Sequence, residues 1–181
     1  MGADPTERFS DRVEDYVRYR PRYPRGVLRV LREEIGLRPD WAVADVGSGT
    51  GIAAALFLAN GNRVFAVEPN AAMRAAAEVT HGGDPRFRSV DGTAEATGLE
   101  PGSVDLVVAA QAFHWFDAPR ARAHFATILR EPRRVVLLWN TRRTDSSPFL
   151  VEYEELLLEY GTDYRAVRHD RIEPDAIRAF F

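Results

Sequence analysis

The stretch that most limits what this chain can fold into is Trp41-Ala-Val-Ala-Asp45-Val-Gly47-Ser48-Gly49-Thr50-Gly51. Val43, Ala44 and Val46 suit a short buried strand, and the glycines then break it. Ile52 to Leu58 follows as an alanine- and leucine-rich run that favours helix. A strand that turns through glycines into a helix brings bare backbone N–H groups up against a ligand. Two details narrow the ligand. The spacing is G-x-G-x-G, and Ile52 stands where a dinucleotide-binding G-x-G-x-x-G would put its last glycine. Asp45 also places a carboxylate on the strand just ahead of Gly47. A diphosphate would be repelled by that charge, whereas a ligand with a cationic amino-acid end would be attracted.

The remaining apolar segments alternate between strand-like and helix-like, which predicts an α/β fold with a doubly wound, mostly parallel sheet. Strands are expected at Arg63–Val67, Arg86–Val90, Ser103–Ala110 and Arg133–Trp139, with helices at Ala71–Val79, Pro119–Leu129 and Phe149–Tyr160. The last of these reads as amphipathic. Ahead of the first strand, Glu7–Tyr19 and Val27–Ile35 read as helices separated by Arg20-Pro21-Arg22-Tyr23-Pro24. This divides the chain into an N-terminal helical cap segment over 1–36 and a cofactor-binding domain over 37–181. The end, Ile177-Arg-Ala-Phe-Phe181, is apolar but offers no strand, so the fifth strand is expected as an unpaired sheet edge. A fragment lacking its last strands is the expectation.

Composition excludes several chemistries. There is no cysteine, and all 24 basic residues are arginine, so disulfides, thiolate metal sites and lysine Schiff bases are unavailable. No metal is assigned. The net charge of −3 gives no electrostatic reason to expect nucleic acid or an anionic membrane. The polar start lacks a signal-peptide core and no apolar run approaches membrane-spanning length, so a cytoplasmic protein is expected.

The loops after the strands hold the candidate site, because ligands of open α/β sheets bind at the carboxyl ends of the strands. Glu68 ends the second strand, where a carboxylate can accept both hydroxyls of a ribose; interaction with the following helix dipole is the plainer alternative. Asp91-Gly92-Thr93-Ala94-Glu95 after the third strand can present a backbone N–H and an acceptor to an adenine edge. The glycine loop with Asp45 ahead of it looks built for S-adenosylmethionine. Gln111-Ala-Phe113-His114-Trp115-Phe116 after the fourth strand can wall a pocket, with core packing of the aromatics as the alternative. Tyr16, Tyr19, Arg20, Arg22 and Tyr23 form an aromatic–basic cluster that can close over the site. Asn140, Arg142 and Arg143 after the fifth strand can hold an acidic substrate.

Taken together, these residues resemble the class I S-adenosylmethionine-dependent methyltransferases, in particular the type 11, trans-aconitate-methyltransferase-like branch. The resemblance rests on Asp45-Val-Gly47-Ser-Gly49-Thr-Gly51, Val67-Glu68-Pro69-Asn70-Ala-Ala-Met73, Gly92-Thr-Ala-Glu95, Gln111-Ala-Phe-His114-Trp115-Phe116 and Tyr16-Val-Arg-Tyr19-Arg20-Pro-Arg-Tyr23-Pro24. It implies a Rossmann-like sheet of seven strands in the order 3-2-1-4-5-7-6. It implies that Gly47 to Gly51 wrap the methionine and ribose portion and that Glu68, beside Pro69, holds the ribose hydroxyls. Met73 would lie near the adenine, Ala94 would offer its backbone to it, and Ala110 and Gln111 would border the sulfonium. Tyr16 and Arg20 would cap the amino-acid end. Thr93 stands where many relatives carry Asp. The expected partner is a small-molecule methyl acceptor with a carboxylate or hydroxyl oxygen, bordered by Tyr19, His114, Trp115, Asn140 and Arg142. His114 is the candidate base, since its unperturbed pKa of about 6.5 suits neutral pH. A nicotinamide-dependent oxidoreductase and a non-enzymatic S-adenosylmethionine-binding domain are the competing readings. A nucleic-acid methyltransferase is a third, but no Asn/Asp-Pro-Pro-Tyr-type string follows the fourth strand.

Overall fold

The computed structural model describes residues 18–141, 143–162, 164 and 174–181. The chain divides into two compact units, with the boundary in sequence between Trp139 and Asn140. The first unit contains helix α1 (Gly26–Ile35), strand β1 (Ala42–Val46), α2 (Ile52–Asn60), β2 (Arg63–Val67), α3 (Ala71–His81), β3 (Phe87–Val90), β4 (Val104–Ala110), α4 (Ala118–Ile128) and β5 (Leu129–Leu138). The strands form one sheet in the order β3-β2-β1-β4-β5, with every neighbouring pair parallel. The chain therefore winds outward in both directions from β1, and the carboxyl ends of β1 and β4 diverge at the point where ligands bind such sheets.

The two central strands, β1 and β4, are apolar and largely buried, whereas β3 and the start of β5 are more exposed. All five residues of β1 are buried, and Val43, Val64, Leu106 and Val108 join Phe57, Leu28, Leu31 and Trp41 in one core cluster. Helix α1 belongs to this core through Leu28 and Leu31. It stops at Gly36, whose φ of 69° allows the left-handed turn that returns the chain to β1. Just ahead of β2, Asn62 is fully buried and its Nδ2 donates to the carbonyls of Arg38 (2.8 Å) and Trp41 (3.1 Å). One side chain thus ties the entry to β1 to the entry to β2.

Two expectations change in detail. Helix α4 ends at Ile128, and β5 starts at once with Leu129 rather than at Arg133. Pro132 conceals this start, since proline inside a run argues against a strand; it is tolerated because β5 pairs only with β4 among the described strands, with a register irregularity between Val104 and Leu106. The second unit contains α5 (Pro148–Tyr160), capped by Ser147, and α6 (Pro174–Phe180). In α5, read from the sequence as amphipathic, Leu150, Glu154, Leu157 and Leu158 are half-buried at helical spacing, while Phe149 and Tyr160 are 70% and 71% exposed. The chain's apolar end is thus part of a short helix. Among the described residues, no helix is long and apolar enough to cross a membrane.

Candidate active site

The loop from β1 to α2 is held from behind by backbone bonds. Gly47 and Ser48 both donate to the Val67 carbonyl (2.9 and 3.1 Å), and Gly51 donates to Ser48 (2.9 Å). Gly47 has φ 68°, and a Cβ there would lie 2.5 Å from the Ala112 Cβ, so the loop after β4 closes directly on the loop after β1. Gly49 differs. Its φ is 55°, but a Cβ there would meet nothing within 4 Å, so its outer face is open. Its N–H donates to Glu68 Oε2 (2.9 Å), while Glu68 Oε1 accepts from Asn70 N–H (2.9 Å). Each carboxylate oxygen thus has one backbone bond and keeps a second lone pair for a ligand.

Two carboxylates share this corner. Asp45 is fully buried at the carboxyl end of β1, and neither of its oxygens has a hydrogen-bond partner. Burial pushes its carboxyl up to about 7; the neighbouring Ala54 amide opposes this without forming a geometric bond, and Glu68 adds repulsion. Glu68 is also raised, first by burial, against the opposing bonds from Asn70 and Gly49 and the Arg74 charge. Ser48 Oγ and Thr50 Oγ1 are likewise buried without partners. A cluster of orphaned acceptors beside an open glycine is costly unless a ligand carrying donors or positive charge completes it. The amino group and sulfonium of S-adenosylmethionine have that character, so these residues fit it.

Arg74 is a residue that sequence reasoning missed. Its guanidinium donates to the carbonyls of Glu68 and Pro69 (both 2.7 Å) and pairs with Asp91 (2.9 Å), joining the loops after β2 and β3 behind Glu68. A lone arginine in an alanine-rich helix gives no signal of this. Met73 is buried on the first turn of α3, and its N–H is capped by Asn70 Oδ1 (3.0 Å). Thr93 is exposed, Ala94 is buried, and Thr93 and Ala96 bond each other across a tight turn. Glu95 turns away to accept from the Asp117 N–H (2.8 Å), so its side chain supports the loop after β4.

After Ala110, Gln111 adopts a left-handed φ of 58° and donates to Leu138 (2.8 Å), which re-aims the chain at the sheet edge. The aromatic string then divides. Phe113 is buried and packs edge-on against Phe116 and Trp139, and Phe116 packs on Phe125. His114 and Trp115 face outward against each other, 4.7 Å apart, with Trp115 42% exposed. Packing thus claims Phe113 and Phe116 and leaves His114 and Trp115 at the surface. Arg20 is half-buried and Tyr19 exposed, and Arg22 is close enough to act on His81, whose ring lies against Gly51. Asn140 opens the second unit. Tyr16 and Arg142 lie outside the described residues.

The profile of the methyltransferase domain family matches residues 44–137, from β1 to the end of β5. The chain belongs to the class I S-adenosylmethionine-dependent methyltransferases. An uncharacterised methyltransferase of Mycobacterium tuberculosis is 37% identical over 134 residues, covering 74% of this chain and 52% of that protein. An uncharacterised methyltransferase-like protein of Schizosaccharomyces pombe is 30% identical over 156 residues, covering 86% of this chain and 59% of that one. The chain therefore spans a little over half the length of these relatives. A proposed S-adenosylmethionine-dependent methyltransferase of Methanococcus maripaludis superposes with a TM-score of 0.74 over 99% of this chain and 84% of its own, at 15% identity. At that identity the likeness is one of fold. The methyltransferase profile ends where the second unit begins, so the matched region is the sheet with the loops at its carboxyl ends.

Proposed function

We propose that this methyltransferase domain binds S-adenosylmethionine in the corner between Asp45, Gly49 and Glu68 and directs its methyl group to an oxygen of a small-molecule acceptor. The observation that carries the reading is the pair of raised carboxylates beside an open glycine, a site that favours a cationic ligand bearing vicinal hydroxyls and disfavours a diphosphate. When bound, S-adenosylmethionine supplies a methyl group on sulfur with a neutral thioether as leaving group. Asp45 would neutralise the ligand's positive end, and Glu68 would accept from the ribose hydroxyls. The Thr93–Glu95 turn would border the adenine, next to Met73. Gln111 and Ala110 would shape the space where the acceptor oxygen approaches. Because the leaving group is good, the domain's contribution is chiefly positioning, which can offset about 7–11 kcal/mol of barrier. A carboxylate acceptor arrives ionised and needs no base. For a hydroxyl acceptor, His114 at the mouth of the site would take the proton.

A nicotinamide-dependent oxidoreductase is disfavoured by Asp45 and by Ile52 in place of a third-position glycine. The test is transfer of label from methyl-labelled S-adenosylmethionine to pools of small carboxylic acids and hydroxyl compounds. Label in a base-labile ester or a stable ether is the expected result. Saturable cofactor binding with no transfer to any pool would instead favour a domain that binds the cofactor without catalysis.

A further inference from the structure

The turn assigned to the adenine is fastened to α4 by a histidine that the functional reading leaves unused. Thr97 is fully buried, and its amide hydrogen points at His124 Nε2, with the nitrogens 3.0 Å apart. The Thr97 hydroxyl lies 2.8 Å from the same nitrogen. An N–H aimed at Nε2 requires a lone pair there, so the ring is neutral with its proton on Nδ1. Upstream, a Cβ at Gly92 would lie 2.8 Å from the Thr97 carbonyl and 3.0 Å from that of Ala96. The turn is therefore wrapped tightly enough that fixing Thr97 fixes the chain from Gly92 onward. The bond from Asp117 N–H to Glu95 is its second tie to the start of α4.

We propose that His124 is the positioning residue of the Thr93–Glu95 turn, and that losing or protonating its ring loosens the turn and weakens binding of the adenine-bearing cofactor. This rests on the cofactor reading above. A protonated imidazole has no lone pair on Nε2: its Nε2–H can turn to the Thr97 hydroxyl oxygen, but the Thr97 N–H loses its acceptor, and a buried amide has no water to turn to. The ring's environment already favours the neutral form: burial lowers its pKa, and Glu95 from the turn only partly restores it. On its own helix, Arg120 stands one turn earlier and adds no negative charge.

Two measurements on the whole chain test this. Amide hydrogen exchange at Thr97, followed from pH 8 to pH 5 without ligand and corrected for intrinsic exchange, reads the clamp itself. Calorimetric titration with S-adenosylhomocysteine over the same range reads its consequence. In the wild type, Thr97 protection and affinity should both hold near neutral pH and fall only at pH values below the ordinary histidine value of 6.5. His124→Ala should weaken affinity about tenfold at pH 7.5, the scale of one buried hydrogen bond. His124→Gln, which carries a non-titrating acceptor to a similar reach, should restore affinity and flatten the pH profile. Thr97 protection that ignores both pH and substitution would overturn the proposal, as would loss of protection with unchanged affinity. A folded wild type whose Thr97 responds as stated but which binds no S-adenosylhomocysteine would refute the cofactor reading while leaving the clamp in place.

Discussion

A buried carboxylate without a hydrogen-bond partner holds its proton more tightly than one in water, and Asp45 is such a group. Its folded pKa, about 7, lies above its ordinary value of 3.8. Between those values the fold keeps a proton that the unfolded chain has released. The stability Asp45 contributes is therefore present at acid pH and is lost as pH rises toward 7, by an amount on the order of a few kcal/mol. Asp45→Asn, neutral at every pH, should flatten this part of the thermal-stability profile and be the more stable protein at pH 8 without ligand. The same substitution should weaken S-adenosylmethionine binding, because the positive charge loses its partner. Unfolding scans of both proteins between pH 5 and pH 8 check this; parallel profiles would contradict it.

At the scale of elements, the strands and turns that form the candidate site were legible in the sequence and the side chains that brace them were not. The strand–glycine–helix order and the position of Glu68 follow from local pattern, since turn chemistry and hydrophobic period are properties of neighbouring residues. Asn62, Arg74 and His124 act across 17 to 27 residues, and nothing near them in sequence marks them. The start of β5 was hidden for a local reason, the proline within it. The aromatic string after β4 was ambiguous because an apolar ring suits a core and a pocket wall alike; the structure gives Phe113 to the first and turns Trp115 outward. Asn62 offers the cleanest test at this scale. Asn62→Ala removes the donor to the buried Trp41 carbonyl and the part-buried Arg38 carbonyl and should cost about 1–3 kcal/mol. A urea midpoint that implies less than about 0.5 kcal/mol would show that the two strand entries are held by packing alone.

At the scale of the whole molecule, the proposed function gives binding and chemistry to different loops of the same sheet edge, and variants should separate them. Glu68→Ala should weaken cofactor affinity about 10- to 100-fold, the scale of hydrogen bonds to a charged group, with turnover at saturation less affected. His114→Ala should leave cofactor affinity nearly unchanged. With a hydroxyl acceptor it should lower turnover about 100-fold or more, and with a carboxylate acceptor it should not. Steady-state kinetics on both variants reads the split, and equal losses of affinity and turnover in His114→Ala would remove its role as a base.

The claim beneath all of these is that the corner formed by Asp45, Gly49 and Glu68 is an S-adenosylmethionine site. Calorimetric titration of the chain with S-adenosylmethionine, with NADH as the control ligand, tests it most directly. The account predicts saturable micromolar binding of S-adenosylmethionine that Glu68→Ala weakens, and no binding of NADH. A folded chain that binds NADH in preference, or whose S-adenosylmethionine affinity ignores Glu68→Ala, would contradict it.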